Sequence, residues 1–374
     1  MAQKNILIVS GEASGDANAA GLARKILELA PQNKIFAVGG PLLRQAGAQI
    51  IYDIKELSVM GLFDVLKKLP KFFQLQALVL AKIKSEQIDA IILVDFSGFN
   101  LRLAKKINNS LPVFYYTSPQ VWASRPGRVQ TIKKFVKKML VFFLFEVDFY
   151  KKFGVDVEFV GHPLLDTPLP AINRDSDHFS DENKLTIALL PGSRQNEIKL
   201  ILPVMLASAR IIQEKIPNAG FLIAKAPNVE PVIYENIIRG FNLKLEVCEG
   251  KIYDCLNQAD FALVCSGTAT LETAIMQKPF LIVYKMNPLN YLLYRPQVKL
   301  PYIGMVNIIA GKKVIPEFIQ GKATAENISK AALEIINNPQ ELSRLKNELA
   351  QIKTALGTSG ASAAAARIIL DNLI

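Results

Sequence analysis

Phe261-Ala-Leu-Val-Cys265 running directly into Ser266-Gly-Thr-Ala-Thr-Leu-Glu272 decides how this chain folds. A short, continuous apolar run reads as a strand covered on both faces, as parallel sheets require. The residues after it are small and polar and open a helical pattern. The same succession occurs upstream, where Leu185 to Leu190 leads into Pro191-Gly-Ser-Arg-Gln-Asn-Glu197. Loops at the carboxyl ends of parallel strands are where open α/β sheets bind ligands. Small residues there let backbone N–H groups approach an anion, and a helix N-terminus adds a favourable dipole. Arg194 supplies a planar cationic fork suited to phosphate. Glu272, one turn into its helix, is placed to hold ribose hydroxyls. Ser193, Arg194, Glu197, Ser266, Gly267, Thr268 and Glu272 together suit a nucleotide.

Outward from these loops, strand-like and helical stretches alternate along the whole chain. Strands are expected at Asn5 to Val9, Lys34 to Val38, Ile88 to Val94, Pro112 to Tyr116, Met139 to Phe145 and Val157 to Val160. A second series covers Leu185 to Leu190, Gly220 to Ala224, Leu243 to Val247, Phe261 to Cys265 and Phe280 to Tyr284. The polar stretch Pro168 to Asn183 separates the series and reads as a linker. At 374 residues and 50% hydrophobic, the chain exceeds what one core usually organises. The expectation is an α/β protein with two Rossmann-like, doubly wound parallel sheets facing a cleft. The domains fall at 1–168 and 184–345, with 346–374 returning to the first.

Three cysteines, irregularly spaced, exclude a disulfide framework or a zinc site. Met-Ala-Gln-Lys-Asn runs straight into the first strand, which predicts no secretory leader. No apolar stretch approaches the roughly 18 residues needed to span a bilayer, so a cytoplasmic or cytoplasm-facing protein is expected. A net charge of +11 points to anionic partners. Helix-turn-helix, RRM and KH signatures are absent, which argues against nucleic acid.

Between Val59 and Ala81, Leu62, Val65, Leu66, Leu69, Phe72 and Phe73 recur at helical spacing, with Lys67, Lys68 and Lys71 between them. Pro70 is expected to end one helix and start another. An apolar stripe flanked by lysines suits a helix lying in an anionic leaflet. An ordinary core-facing helix with a basic edge has the same periodicity, and both readings stay open at this point.

Asp95 follows the apolar strand Ile88 to Val94 and precedes a helical pattern. Shielded by Phe96 and Phe99, its carboxylate is a candidate proton acceptor with a raised pKa. Its plainer reading is a helix cap. Asn100 suits a cap or a substrate contact equally well. The loop Ser10-Gly-Glu-Ala-Ser-Gly-Asp16 fits neither GxGxxG nor GxxxxGK[ST], so it is expected to shape a substrate site through Glu12 and Ser14. His162, before Pro163, reads as structural, and His178 as a solvated linker residue. No His, Cys, Asp or Glu cluster has metal-ligand spacing, so neither a metal nor a cofactor is expected.

With these residues in view, the chain resembles the lipid A disaccharide synthases, nucleotide-sugar glycosyltransferases of the GT-B type. The resemblance rests on an ordered set of motifs over nearly the whole length. They are Ser10 to Asp16, Val38-Gly-Gly40, Glu56-Leu-Ser-Val-Met-Gly61, Asp95-Phe-Ser-Gly-Phe-Asn-Leu-Arg-Leu-Ala104, Ser118-Pro-Gln-Val-Trp-Ala123, Val160-Gly-His-Pro-Leu164, Leu190 to Glu197, Ser266 to Glu272 and Val283-Tyr-Lys-Met286.

The resemblance implies transfer from UDP-2,3-diacylglucosamine to 2,3-diacylglucosamine 1-phosphate, giving UDP and a β-1,6 disaccharide with inversion. It implies that Asp95 is the base, that Arg194 and the Gly267-Thr268 helix start hold the diphosphate, and that Glu272 holds the ribose. Glu197 and Asn307 are then further donor-side residues, with Glu12, Ser14 and Asn100 on the acceptor side. It also implies work at the cytoplasmic face of the bacterial inner membrane, with Leu62 to Phe73 as the lipid-facing patch. Ser97, Ser124 and Leu144 depart from the family pattern, where proline, an aromatic residue and proline are common. A UDP-sugar 2-epimerase of the same fold and a non-catalytic peripheral lipid-binding protein are the alternatives.

Overall fold

Strand formation follows the apolar runs closely. The computed structural model describes residues 2–57, 62–169, 185–227, 229–248, 252–298 and 300–373. The chain divides into two compact units, Met1–Thr167 with Leu356–Ile374, and Pro168–Ala355.

The first unit holds β1 (Asn5–Val9), β2 (Lys34–Gly39), β3 (Gln49–Asp53), β4 (Ala90–Val94), β5 (Val113–Tyr116), β6 (Lys138–Val141) and β7 (Val157–Phe159). They form one sheet in the order β3-β2-β1-β4-β5-β6-β7, parallel at every pairing. Alternate residues feed two cores. Leu7, Val9, Leu93, Tyr115 and Val141 pack on one face with Leu75 and Val79 of the helix Leu62–Ser85. Ile6, Ile8, Ile92, Phe114 and Leu140 pack on the other with the helix Ala13–Leu29. Ala365, Ala366, Ile369 and Leu370 of the last helix, Ala361–Asp371, complete that second core.

The second unit holds β8 (Thr186–Leu190), β9 (Gly220–Ala224), β10 (Leu245–Cys248), β11 (Phe261–Cys265), β12 (Phe280–Tyr284) and β13 (Glu317–Ile319). Their order is β10-β9-β8-β11-β12-β13, again parallel throughout. In each sheet the chain winds outward one way, then returns to the middle and winds the other way. The reversal falls between β1 and β4 in one unit and between β8 and β11 in the other.

Three expectations are corrected, and two strands were not expected. Met139 to Phe145 is not one strand: β6 ends at Val141, and a helix begins at Leu144. The Glu146 carboxylate accepts from the Phe143 backbone N–H (3.2 Å), turning the chain there. Pro70 does not divide two helices but lies inside the helix Leu62–Ser85. The return to the first unit begins at Leu356 rather than at 346, because the helix Pro339–Ala355 belongs to the second unit. Strands β3 and β13 escaped sequence reading. Both are sheet edges, where partly exposed strands carry weaker apolar runs.

Candidate functional site

Each sheet reversal gathers one pair of the sequence motifs. In the first unit, the loop after β1 (Ser10 to Asp16) lies beside the loop after β4 (Asp95 to Asn100). Asp95 and Phe96 both adopt left-handed backbone conformations, φ 48° and 42°. Such geometry costs non-glycine residues free energy and persists only where surroundings impose it. Here they do. Tyr115 Oη donates to the Asp95 carbonyl (2.6 Å), and Asn100 Nδ2 donates to the same oxygen (2.9 Å). The Phe96 ring stacks on Phe99, centroids 5.0 Å apart, and lies where a Cβ at position 11 would have to be. Only glycine fits at Gly11.

The Asp95 carboxylate has no hydrogen-bond or ion-pair partner among the described residues, so it is not a helix cap. Burial, and secondarily the charge of Glu12, push its pKa up to about 7. A carboxylate in that state can accept a proton near neutrality. Glu12 and Ser14 are exposed at the start of the helix Ala13–Leu29. Asp16 is buried and accepts from the backbone N–H groups of Gly40 (2.6 Å) and Leu42 (3.0 Å), so its part is structural.

Asn100, expected on the acceptor side, is also an internal brace through its Nδ2, while its buried Oδ1 has no partner among the described residues. It is fully buried, and its amide also reaches the carbonyls of Val94 (3.2 Å) and Val9 (3.4 Å), tying β1 to β4. His162 is structural too: Nδ1 accepts from Leu164 N–H (3.2 Å), and burial lowers its pKa to about 4. In the helix Leu62–Ser85, Phe73 is 60% exposed. Phe72 is half-buried, its ring 5.8 Å from Phe96, and belongs to the edge of the core rather than to an outward face. The side chains of Leu62, Val65, Leu66, Lys67, Lys68 and Leu69, and His178, lie outside the described residues. Among the described residues no helix is long and apolar enough to cross a membrane.

In the second unit, β8 and β11 pair directly, Val264 beside Leu190, so their loops are neighbours. Arg194 is 67% exposed and its Nη1 donates to Glu197 Oε1 at 3.0 Å, while Glu197 Oε2 accepts from the Arg194 backbone N–H (3.3 Å). Glu197 therefore orients Arg194. Ser193, Gly267 and Thr268 are exposed, and space over Gly267 is open. Ser266 Oγ donates to the Ile303 carbonyl (3.3 Å). Glu272 has no hydrogen-bond partner among the described residues, and burial alone raises its pKa to about 7. Its charge also acts on Tyr253, whose buried hydroxyl lacks a partner among those residues.

Asn307, expected on the donor side, is a buried internal pin. Its Nδ2 donates to Ile315 O and Glu317 Oε1, and its Oδ1 accepts from Val314 and Ile315 N–H, all at 2.8 Å. Glu317, in a three-residue edge strand, went unnoticed in sequence. It accepts from the backbones of Ile303 and Gly304 (both 3.0 Å), holding the segment that receives Ser266. Tyr115 and Tyr253 were also missed, since buried tyrosines look like core residues until their hydroxyls are placed.

Comparisons with known proteins converge on one family. A family model described as Lipid-A-disaccharide synthetase matches residues 6–369. The lipid-A-disaccharide synthase of Syntrophus aciditrophicus is 40% identical, covering 99% of this chain and 98% of that protein. Among solved structures, a glycosyltransferase of kitacinnamycin superposes with a TM-score of 0.66 at 14% identity, covering 100% of both chains. UDP-GlcNAc 2-epimerase from Neisseria meningitidis, bound to UDP-GlcNAc, gives 0.64 at 13% identity, covering 100% of this chain and 99% of that one. Identities that low establish a shared GT-B fold and nothing finer. The sequence matches go further, and the chain belongs to the lipid-A-disaccharide synthase family.

Proposed function

We infer that this enzyme joins UDP-2,3-diacylglucosamine to 2,3-diacylglucosamine 1-phosphate, releasing UDP and the β-1,6-linked disaccharide 1-phosphate. Membership of the family over residues 6–369 carries this reading. The donor sugar is α-linked and the product β-linked, so the reaction is a single in-line displacement. The acceptor 6-oxygen attacks the anomeric carbon as the bond to the diphosphate breaks. The hydroxyl proton passes to the Asp95 carboxylate, and the electron pair leaves on UDP. Arg194 and the exposed first turn of the helix from Thr268 meet the charge growing on the diphosphate, where fixed donors act most strongly. Glu197 serves by holding Arg194.

Glu272 accepts from the ribose hydroxyls. Its unmatched, buried carboxylate supports that role, since hydrogen bonds to the charged form offset the burial that raises its pKa. Acylated substrates place the reaction at a lipid surface, with the Leu62 to Phe73 segment and Lys67, Lys68 and Lys71 toward the cytoplasmic face of the inner membrane. An epimerase has only the fold in its favour. A lipid-binding protein leaves Asp95, Arg194 and Glu272 without a purpose.

The Asp95→Asn variant tests the mechanism, since it keeps shape and removes the base. Turnover is expected to fall by about 10²–10⁴-fold, with UDP affinity by calorimetry unchanged. Turnover within a factor of about three of wild type would refute the assignment.

A further inference from the structure

We propose that Arg102, Arg125 and Arg128 form a clamp for a phosphomonoester, the anomeric phosphate of the acceptor, beside Asp95. This rests on the transferase reading above. Arg128 Nη1 donates to Ser97 Oγ at 3.2 Å. Burial lowers the pKa of its guanidinium, and the charges of Arg125 and Arg102 lower it further. Arg125 lies one turn before Arg128, whose backbone N–H donates to the Arg125 carbonyl (3.1 Å), and Ser97 opens the helix Ser97–Ile107 that carries Arg102. Neither Arg102 nor Arg128 forms an ion pair with a described residue.

Gathering three like charges is unfavourable, and an anion with two charges reverses the sign of that interaction. Guanidinium forks match phosphate oxygens in pairs, which makes arginine the fitting residue. There is room for such a group. Arg102 and Arg125 are exposed, and a Cβ at either Gly98 or Gly127 would meet no atom within 4 Å. The helix Ser97–Ile107 also begins here, adding its dipole in the same sense.

The geometry of the sugar matches that of the site. In a pyranose, the carbon bearing the 6-hydroxymethyl group and the anomeric carbon both bond to the ring oxygen. The attacking hydroxyl and the 1-phosphate therefore share one edge of the ring. In the protein, Ser97 follows Asp95 by two positions and holds Arg128. Tyr115, whose hydroxyl donates to the Asp95 carbonyl, is also among the groups acting on Arg128. A phosphate held by the arginines brings the 6-hydroxyl toward Asp95. Ser97 stands where proline is common in the family, so the bond that orients Arg128 depends on this chain's departure from that pattern.

The test compares kcat/KM for 2,3-diacylglucosamine 1-phosphate with that for 2,3-diacylglucosamine lacking the phosphate. Wild type, Arg128→Gln and Arg125→Gln are measured in detergent, alongside flotation with vesicles containing phosphatidylglycerol. Arg125 is exposed, so its variant stands if Arg128→Gln folds poorly. The preference for the phosphorylated acceptor is expected to fall about tenfold or more in each variant, with flotation unchanged. An active wild type whose variants keep the full preference overturns the clamp alone. Lost flotation with an unchanged preference assigns the cluster to membrane lipid phosphates and also overturns it. A wild type releasing no UDP with either acceptor overturns the transferase reading and the clamp with it.

Discussion

Asp95 combines a left-handed backbone, a carboxylate without a partner among the described residues and a pKa near 7 set first by burial. A base works when deprotonated, so at saturating donor the acceptor kcat/KM should rise with pH and level off above about 7. Glu272 also titrates near 7, and saturating UDP-sugar removes its effect by keeping the ribose site filled. A profile flat from about pH 5 to pH 9 would contradict the assignment. The place of Asp95 at the carboxyl end of β4 was legible from the apolar run before it, while its part as the base is the proposal that this profile tests. The internal bonds of Asn307 were not legible, because sequence shows an amide but not that the protein's own groups already occupy both of its ends.

Glu146 shows what the element scale adds. Its carboxylate is buried, accepts from Trp122 Nε1 (2.9 Å) and Phe143 N–H, and caps the helix Leu144–Lys151 while anchoring the Trp122 loop. Burial raises its pKa from 4.5 to about 7, opposed by those hydrogen bonds. Between these values the folded state keeps a proton that the unfolded state releases. Its contribution to stability therefore declines as pH rises from 4.5 to about 7. Glu146→Gln does not titrate. Urea unfolding should show the wild-type-to-variant difference shifting in the variant's favour by about 3 kcal/mol across that window. A difference constant with pH would count against it. Sequence periodicity found the central strands because they are apolar on both faces. It missed β3 and β13, and it ran β6 on into a helix, because Phe142 and Phe143 continue the apolar run past the turn that Glu146 imposes.

At the scale of the whole molecule, both motif pairs stand at sheet reversals, β1/β4 and β8/β11. Each loop alone is a weak signal, and strand order makes the two loops of each pair neighbours, where open α/β sheets bind ligands. That order was accessible from sequence only as an expectation of double winding, since neighbours in a sheet are set by packing and not by periodicity. The proposed membrane patch is tested by reversing charge at Lys67, Lys68 and Lys71. Flotation with anionic vesicles should weaken, and wild-type binding should itself fall as salt rises. Undiminished flotation of the reversed variant would remove the patch from the account. The most direct measurement of the central claim is UDP release from UDP-2,3-diacylglucosamine by the wild-type protein, with and without 2,3-diacylglucosamine 1-phosphate. The account predicts release only with the acceptor, one UDP for each β-1,6 disaccharide formed. UDP release that is independent of the acceptor, or binding of UDP with no disaccharide formed, would contradict it.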